Sequence, residues 1–107
     1  MASGFDWVLL LLAATCFASG GIFMKLAGGV SRPLPTLAFL ALFGLGAVLQ
    51  SLAMRREDMG VVYLAVLGLE AALALGFSVL LFREELSVAR VTAVVLILVG
   101  VALLRRT

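Results

Sequence analysis

One carboxylate lies in the middle of a segment that otherwise reads as lipid-soluble. It is Glu70, within VLGLEAALALG, Val66 to Gly76. An ionised carboxylate at mid-bilayer costs at least about 2.5–3.5 kcal/mol on insertion scales, and desolvation favours its neutral, protonated form. Protonated, the group can sit in apolar surroundings. Deprotonated, it needs a cation, a hydrogen-bond donor or water. A group that must choose between a proton and a cationic ligand is the minimum apparatus for exchange transport, and two copies near a dimer axis would titrate as a coupled pair. The competing reading is a structural acid held by a serine or threonine of another helix.

Helical spacing supplies the neighbours. Tyr63, Val66, Leu67, Leu73, Ala74 and Phe77 stand three, four or seven residues from Glu70 and share its face. Tyr63 and Phe77 would flank the acid with aromatic surface suited to an organic cation or an amphipathic headgroup; plain packing is the alternative. Gly60, Gly68, Ala72 and Gly76 fall on the opposite side, a small-residue track that permits close helix packing. Gly68 and Gly76 would also let the segment bend. Earlier in the chain, Thr15 and Ser19 form a mildly polar face that either lines a cavity opposite Glu70 or packs against a helix. Gln50 and Ser51 mark either a cavity mouth or the approach to the interface. Lys25 either neutralises an anionic headgroup or snorkels to the membrane surface.

Other chemistries find no support. Nothing places a nucleophile beside a base, so an enzyme is not expected. With no histidine and one cysteine, Cys16, neither a zinc nor a haem site is expected, and no cofactor is implied. The basic residues are scattered at the ends of apolar runs rather than gathered in a stripe with aromatics, which excludes nucleic acid as a partner.

These residues must be positioned by membrane-spanning helices. The chain has 107 residues, 64% of them hydrophobic, and a mean hydropathy of +1.27. A water-soluble globule could not bury that excess, so the solvent is lipid. Four apolar runs of helical length are expected at about 7–24, 35–54, 60–82 and 88–104. They form one all-α integral membrane domain covering residues 1–107. The absence of polar/apolar alternation argues against a β-barrel. The first run lacks a basic leader and is read as a span, not a signal peptide. KLAGGVSRP (Lys25–Pro33), RRED (Arg55–Asp58) and REELS (Arg83–Ser87) are short links that make sequence neighbours antiparallel hairpins, with Ser87 placed to cap the fourth helix.

Charge leaves the orientation open. One side would carry Arg55, Arg56, Arg105 and Arg106, and the other Lys25, Arg32, Arg83 and Arg90, four against four. With no bias to set orientation, the chain fits insertion both ways round, and that dual topology allows an antiparallel homodimer with inverted symmetry.

The chain resembles the small multidrug resistance family of the drug/metabolite transporter superfamily over nearly its whole length. GGIFMKLAGGVSRPLP, Gly20 to Pro35, is similar to the family's Met-Lys pair, small-residue turn, basic residue and proline. MGVVYLAVLG, Met59 to Gly68, resembles the Gly-x-x-Tyr entry to helix three. Leu80 to Leu104, with Leu96, Ile97, Gly100 and Val101, resembles the superfamily's closing helix. There is one departure. Drug-exporting members carry a glutamate about two turns before the Met-Lys pair, and eight residues before Lys25 this chain has Phe17.

The resemblance implies a small secondary transporter of the bacterial inner membrane, working by alternating access as an antiparallel homodimer of eight helices. Its substrate would be a hydrophobic or cationic organic compound. Glu70 is expected to exchange a proton for substrate, with Tyr63, Phe77, Thr15, Ser19 and Ala74 as neighbours in the pocket. Ala93, Leu96, Ile97 and Gly100 are expected to cross their twins at the dimer interface. The alternatives are a flippase for an amphipathic lipid or lipid-linked headgroup, which the missing first-helix acid favours, and a non-transporting or heterodimer subunit.

Overall fold

The computed structural model describes residues 7–106. They form four helices: α1 (Trp7–Leu26), α2 (Pro33–Ala53), α3 (Met59–Phe82) and α4 (Val88–Arg106). Three are long and apolar enough to cross a membrane, while the apolar part of α4, Val88–Leu104, is shorter. Among the described residues there is no strand.

Local chemistry sets the boundaries. α2 starts at Pro33, two residues earlier than expected, because proline is tolerated in the first helical turn, where its missing N–H would be unpaired anyway. Arg32 before it is extended, with φ −111° and ψ 122°, as a residue preceding proline prefers. The chain reverses between α1 and α2 through Gly28, Gly29 and Val30, all left-handed, with φ of 57°, 71° and 70°. Glycine adopts that region freely, but a β-branched valine does not. At the other end, Arg83 closes α3 in a left-handed conformation with its N–H bonded to the Ser78 carbonyl. Ser87 caps α4 as predicted, its Oγ accepting the Arg90 N–H at 3.2 Å.

Packing departs from the simple hairpin expectation. α1 packs along both α2 and α3, α4 packs on α3, and α2 and α3 scarcely touch although only a short corner joins them. The reason lies in α1. Its buried positions Ala13, Ala14, Ala18 and Gly20 are small, so two helices approach it closely on adjacent flanks and are thereby held apart. Gly20 meets α2 so closely that an added Cβ would run into the Phe43 ring. Leu10 of α1 and Val62 and Val66 of α3 are the largest fully buried side chains. Gly68 performs the same service between α3 and α4, where a Cβ would collide with Val101 and reach Ile97 at 3.2 Å.

The result is a slab of 43 × 33 × 17 Å, less than two helix diameters thick at about 10–12 Å each. A slab so thin cannot enclose a cavity by itself, and its faces carry exposed apolar side chains such as Leu34, Leu80 and Val88. Lipid or a second chain must cover them.

Candidate functional site

The separation of α2 from α3 opens a groove of about 560 Å³ whose floor is α1. Phe17 stands on the floor. Phe43, Ala47, Gln50 and Ser51, with Met54 just past the helix end, form the α2 wall, and Tyr63 and Glu70 the α3 wall. The volume suits a drug-sized molecule.

Glu70 lies at the midpoint of α3, half-buried. Among the described residues no donor or cation engages its carboxylate, and no buried side-chain oxygen is left sealed without a partner, so the carboxylate oxygens open into the groove. The aromatic rings beside it are fixed by packing. The Phe17 and Phe43 rings are tilted at 54° with centroids 5.8 Å apart, and Phe17 rests against Gly46, where an added Cβ would lie 3.1 Å from the ring. Tyr63 is half exposed two turns along α3. An unpartnered acid among aromatic faces can hold a proton or an organic cation.

Of the expected pocket residues, the groove gathers Glu70 and Tyr63. Ala74 and Phe77 continue the same face of α3 but line a separate cavity of about 130 Å³, with Ala18, Ile22 and Lys25 of α1. Thr15 and Ser19 line neither space. Each stands two residues from Phe17, a rotation of about 200° around the helix, so when Phe17 faces the groove they face away. Thr15 is exposed and its hydroxyl donates to the Leu11 carbonyl at 2.7 Å. Gly68 packs on α4, whereas Gly76 faces open space. On α4, Ile97 and Gly100 border an apolar groove of about 390 Å³ against α3, while Ala93 and Leu96 are exposed. Phe43 carries no sequence signal of a site, and Gln50 fits either a cavity mouth or the approach to the interface. Their lining role depends on the α2–α3 gap, which local sequence does not announce.

Lys25 does not stand free. Its Nζ lies 2.7 Å from Oε2 of Glu84 and 5.1 Å from the centroid of the Phe82 ring. The ammonium donates to the carboxylate and holds the Glu84 carboxyl below its ordinary value. This tie joins the end of α1 to the corner before α4.

The fold and groove define a small four-helix membrane protein with an ionisable group at mid-depth. The family model for the Small Multidrug Resistance protein matches residues 5–97. The chain therefore belongs to the small multidrug resistance family, whose members are transporters and not enzymes, and it is an integral protein of the bacterial plasma membrane. Over 96 residues it is 30% identical to the uncharacterized membrane protein YvaE of Bacillus subtilis (strain 168), covering 90% of this chain and 81% of that one. It is 28% identical over 95 residues to the quaternary ammonium compound-resistance protein QacC of Staphylococcus aureus, covering 89% of each. With the quaternary ammonium compound-resistance protein QacH of Staphylococcus saprophyticus it shares 29% identity over 98 residues, covering 92% of each.

Proposed function

We propose that this chain is a secondary transporter that moves a hydrophobic or cationic organic compound across the membrane by alternating access, with Glu70 exchanging a proton for substrate. The observation that carries the reading is the company Glu70 keeps. Phe17 occupies the position at which drug-exporting relatives are expected to carry an acid, and it lines the same groove as Glu70. The acidic function has moved from α1 to α3 without leaving the groove. Two of the relatives are named for quaternary ammonium resistance, which supports a cationic substrate.

A second copy completes the device. The groove has a floor and two walls but no roof, and most of α4 is exposed. An antiparallel partner would close the groove at mid-membrane, with Ala93, Leu96, Ile97 and Gly100 crossing their twins. The even split of basic residues between the two sides supports insertion in both orientations.

Purified protein in proteoliposomes, challenged with a lipophilic cation, is expected to release protons on binding, and Glu70→Gln is expected to abolish that release. Equal release from both proteins would remove Glu70 from the mechanism. The sideways opening of the groove between α2 and α3 favours a second reading, flipping of an amphipathic lipid. It predicts that lipid and not the cation protects Glu70 from modification.

A further inference from the structure

Gln50 is the one buried polar or charged residue among those described, 8% exposed. It lines the Glu70 groove, and no described residue bonds its side-chain amide. No side-chain oxygen or nitrogen sealed from solvent lacks a partner among the described residues, so the amide of this otherwise buried side chain opens onto the groove, where water or a ligand group takes its hydrogen bonds. Its position relative to the acid follows from the hairpin. Counting back from Met54, Gln50 is four residues along α2 and Phe43 eleven; counting forward from Met59, Tyr63 is four residues along α3 and Glu70 eleven. The groove therefore has two recognition levels. Glu70 with Phe17 and Phe43 makes a charged, aromatic level at mid-membrane. Gln50, Ser51 and Tyr63 make a neutral hydrogen-bonding level seven residues, or about 10 Å, nearer the 55–58 corner.

We infer that Gln50 is a specificity-determining residue, and that the preferred substrates are elongated monocations bearing a hydroxyl, amide or similar hydrogen-bonding group about 10 Å from the charge. This rests on the transporter reading of Glu70 but goes beyond it, since a cation site alone would be indifferent to the distal group. A compact cation leaves the Gln50 level to water. A purely apolar tail leaves the amide unpaired and is disfavoured.

The test compares two probes, a trimethylammonium with a straight octyl chain and the same molecule with a terminal hydroxyl, by calorimetry on the purified full chain. Taking the ratio of their affinities in each protein cancels the difference in their partitioning into detergent. Gln50→Met, which keeps the volume and removes the amide, is expected to shift that ratio by about three- to tenfold toward the plain alkyl probe. A second variant keeps the question open to refutation should Gln50→Met fold poorly. Gln50→Glu is expected to raise affinity for an octane chain with a cation at each end by at least about tenfold over the wild type. An unchanged probe ratio in Gln50→Met, or no gain for the double cation in folded Gln50→Glu, overturns the inference and leaves the Glu70 site intact. Undiminished binding of both probes by Glu70→Gln overturns the transporter reading, and the inference with it.

Discussion

Two glutamates of this molecule are held in opposite ways. Glu84, at the corner before α4, is clasped by Lys25 at 2.7 Å, and the ammonium also lies over the Phe82 ring. Glu70, eleven residues into α3, opens into a groove in which no described residue engages it. The corner acid has a partner already built in, so its charge is settled and its work is to tie α1 to the start of α4. The groove acid has none, so its charge depends on what enters. In a medium where an unpaired charge is costly, the proposed alternation of proton and ligand on Glu70 would account for such a group. On the proposed reading, what separates the structural acid from the functional one is whether the carboxylate arrives with its own cation.

Substitutions can break or sharpen that contrast. The largest effect is expected from removing the two charges one at a time. Glu70→Gln should abolish coupled transport in proteoliposomes, whereas Glu84→Gln should leave it largely in place. Comparable losses from both would end the distinction. Moving the acid back provides the sharper form. If Phe17 and Glu70 share one groove, Phe17→Glu combined with Glu70→Gln should regain substrate-induced proton release that Glu70→Gln lacks. A double variant as silent as the single one would show that the two positions do not serve the same space.

Next in size are effects on packing. Gly68→Leu forces a side chain into Val101 and Ile97 and should destabilise the α3–α4 contact by about 1–3 kcal/mol, read as a lower Tm in detergent. Gly76→Leu, with nothing within 4 Å of its added Cβ, should change Tm little. The corner tie should show a pH signature. Because Glu84 is held below its ordinary value, its contribution is present above the unfolded carboxyl value of about 4.3 and disappears as pH falls through the folded value. The Tm difference between wild type and Glu84→Gln should therefore be present near neutral pH and gone in acid. The smallest effect is expected at Val30. Its left-handed backbone costs a side-chain-bearing residue about 1–2 kcal/mol, and glycine's greater freedom in the unfolded chain returns part of that. Val30→Gly should raise stability by less than about 1 kcal/mol.

Much of the fold was legible because hydropathy and turn chemistry are local. The four runs, the Ser87 cap and the glycine reversal at 28–29 all follow from neighbouring residues. The α2 boundary differs from the expectation because Pro33 opens the helix, where its missing N–H costs nothing. The spatial order was not legible. A tight corner at 55–58 points to a packed α2–α3 hairpin, but both helices pack instead on α1, whose small residues admit them on adjacent flanks. The site inherits both outcomes. Glu70 and Tyr63 line the groove together because they share one helix face. Phe43 is part of the groove only because α2 stands off from α3, and Thr15 and Ser19 fail to reach it because α1 turns Phe17 inward. Periodicity says which residues share a face, and only tertiary packing says what that face meets.

The most direct test of the account sets the two carboxylates against each other in one sample. A hydrophobic carbodiimide reacts with protonated carboxyl groups, and mass spectrometry of the labelled chain reads each glutamate separately. The account predicts that Glu70 is modified in liposomes, that a saturating lipophilic cation protects it, and that the cation leaves the labelling of Glu84 unchanged. A Glu70 that resists the reagent, or one labelled to the same extent with and without the cation, would contradict it.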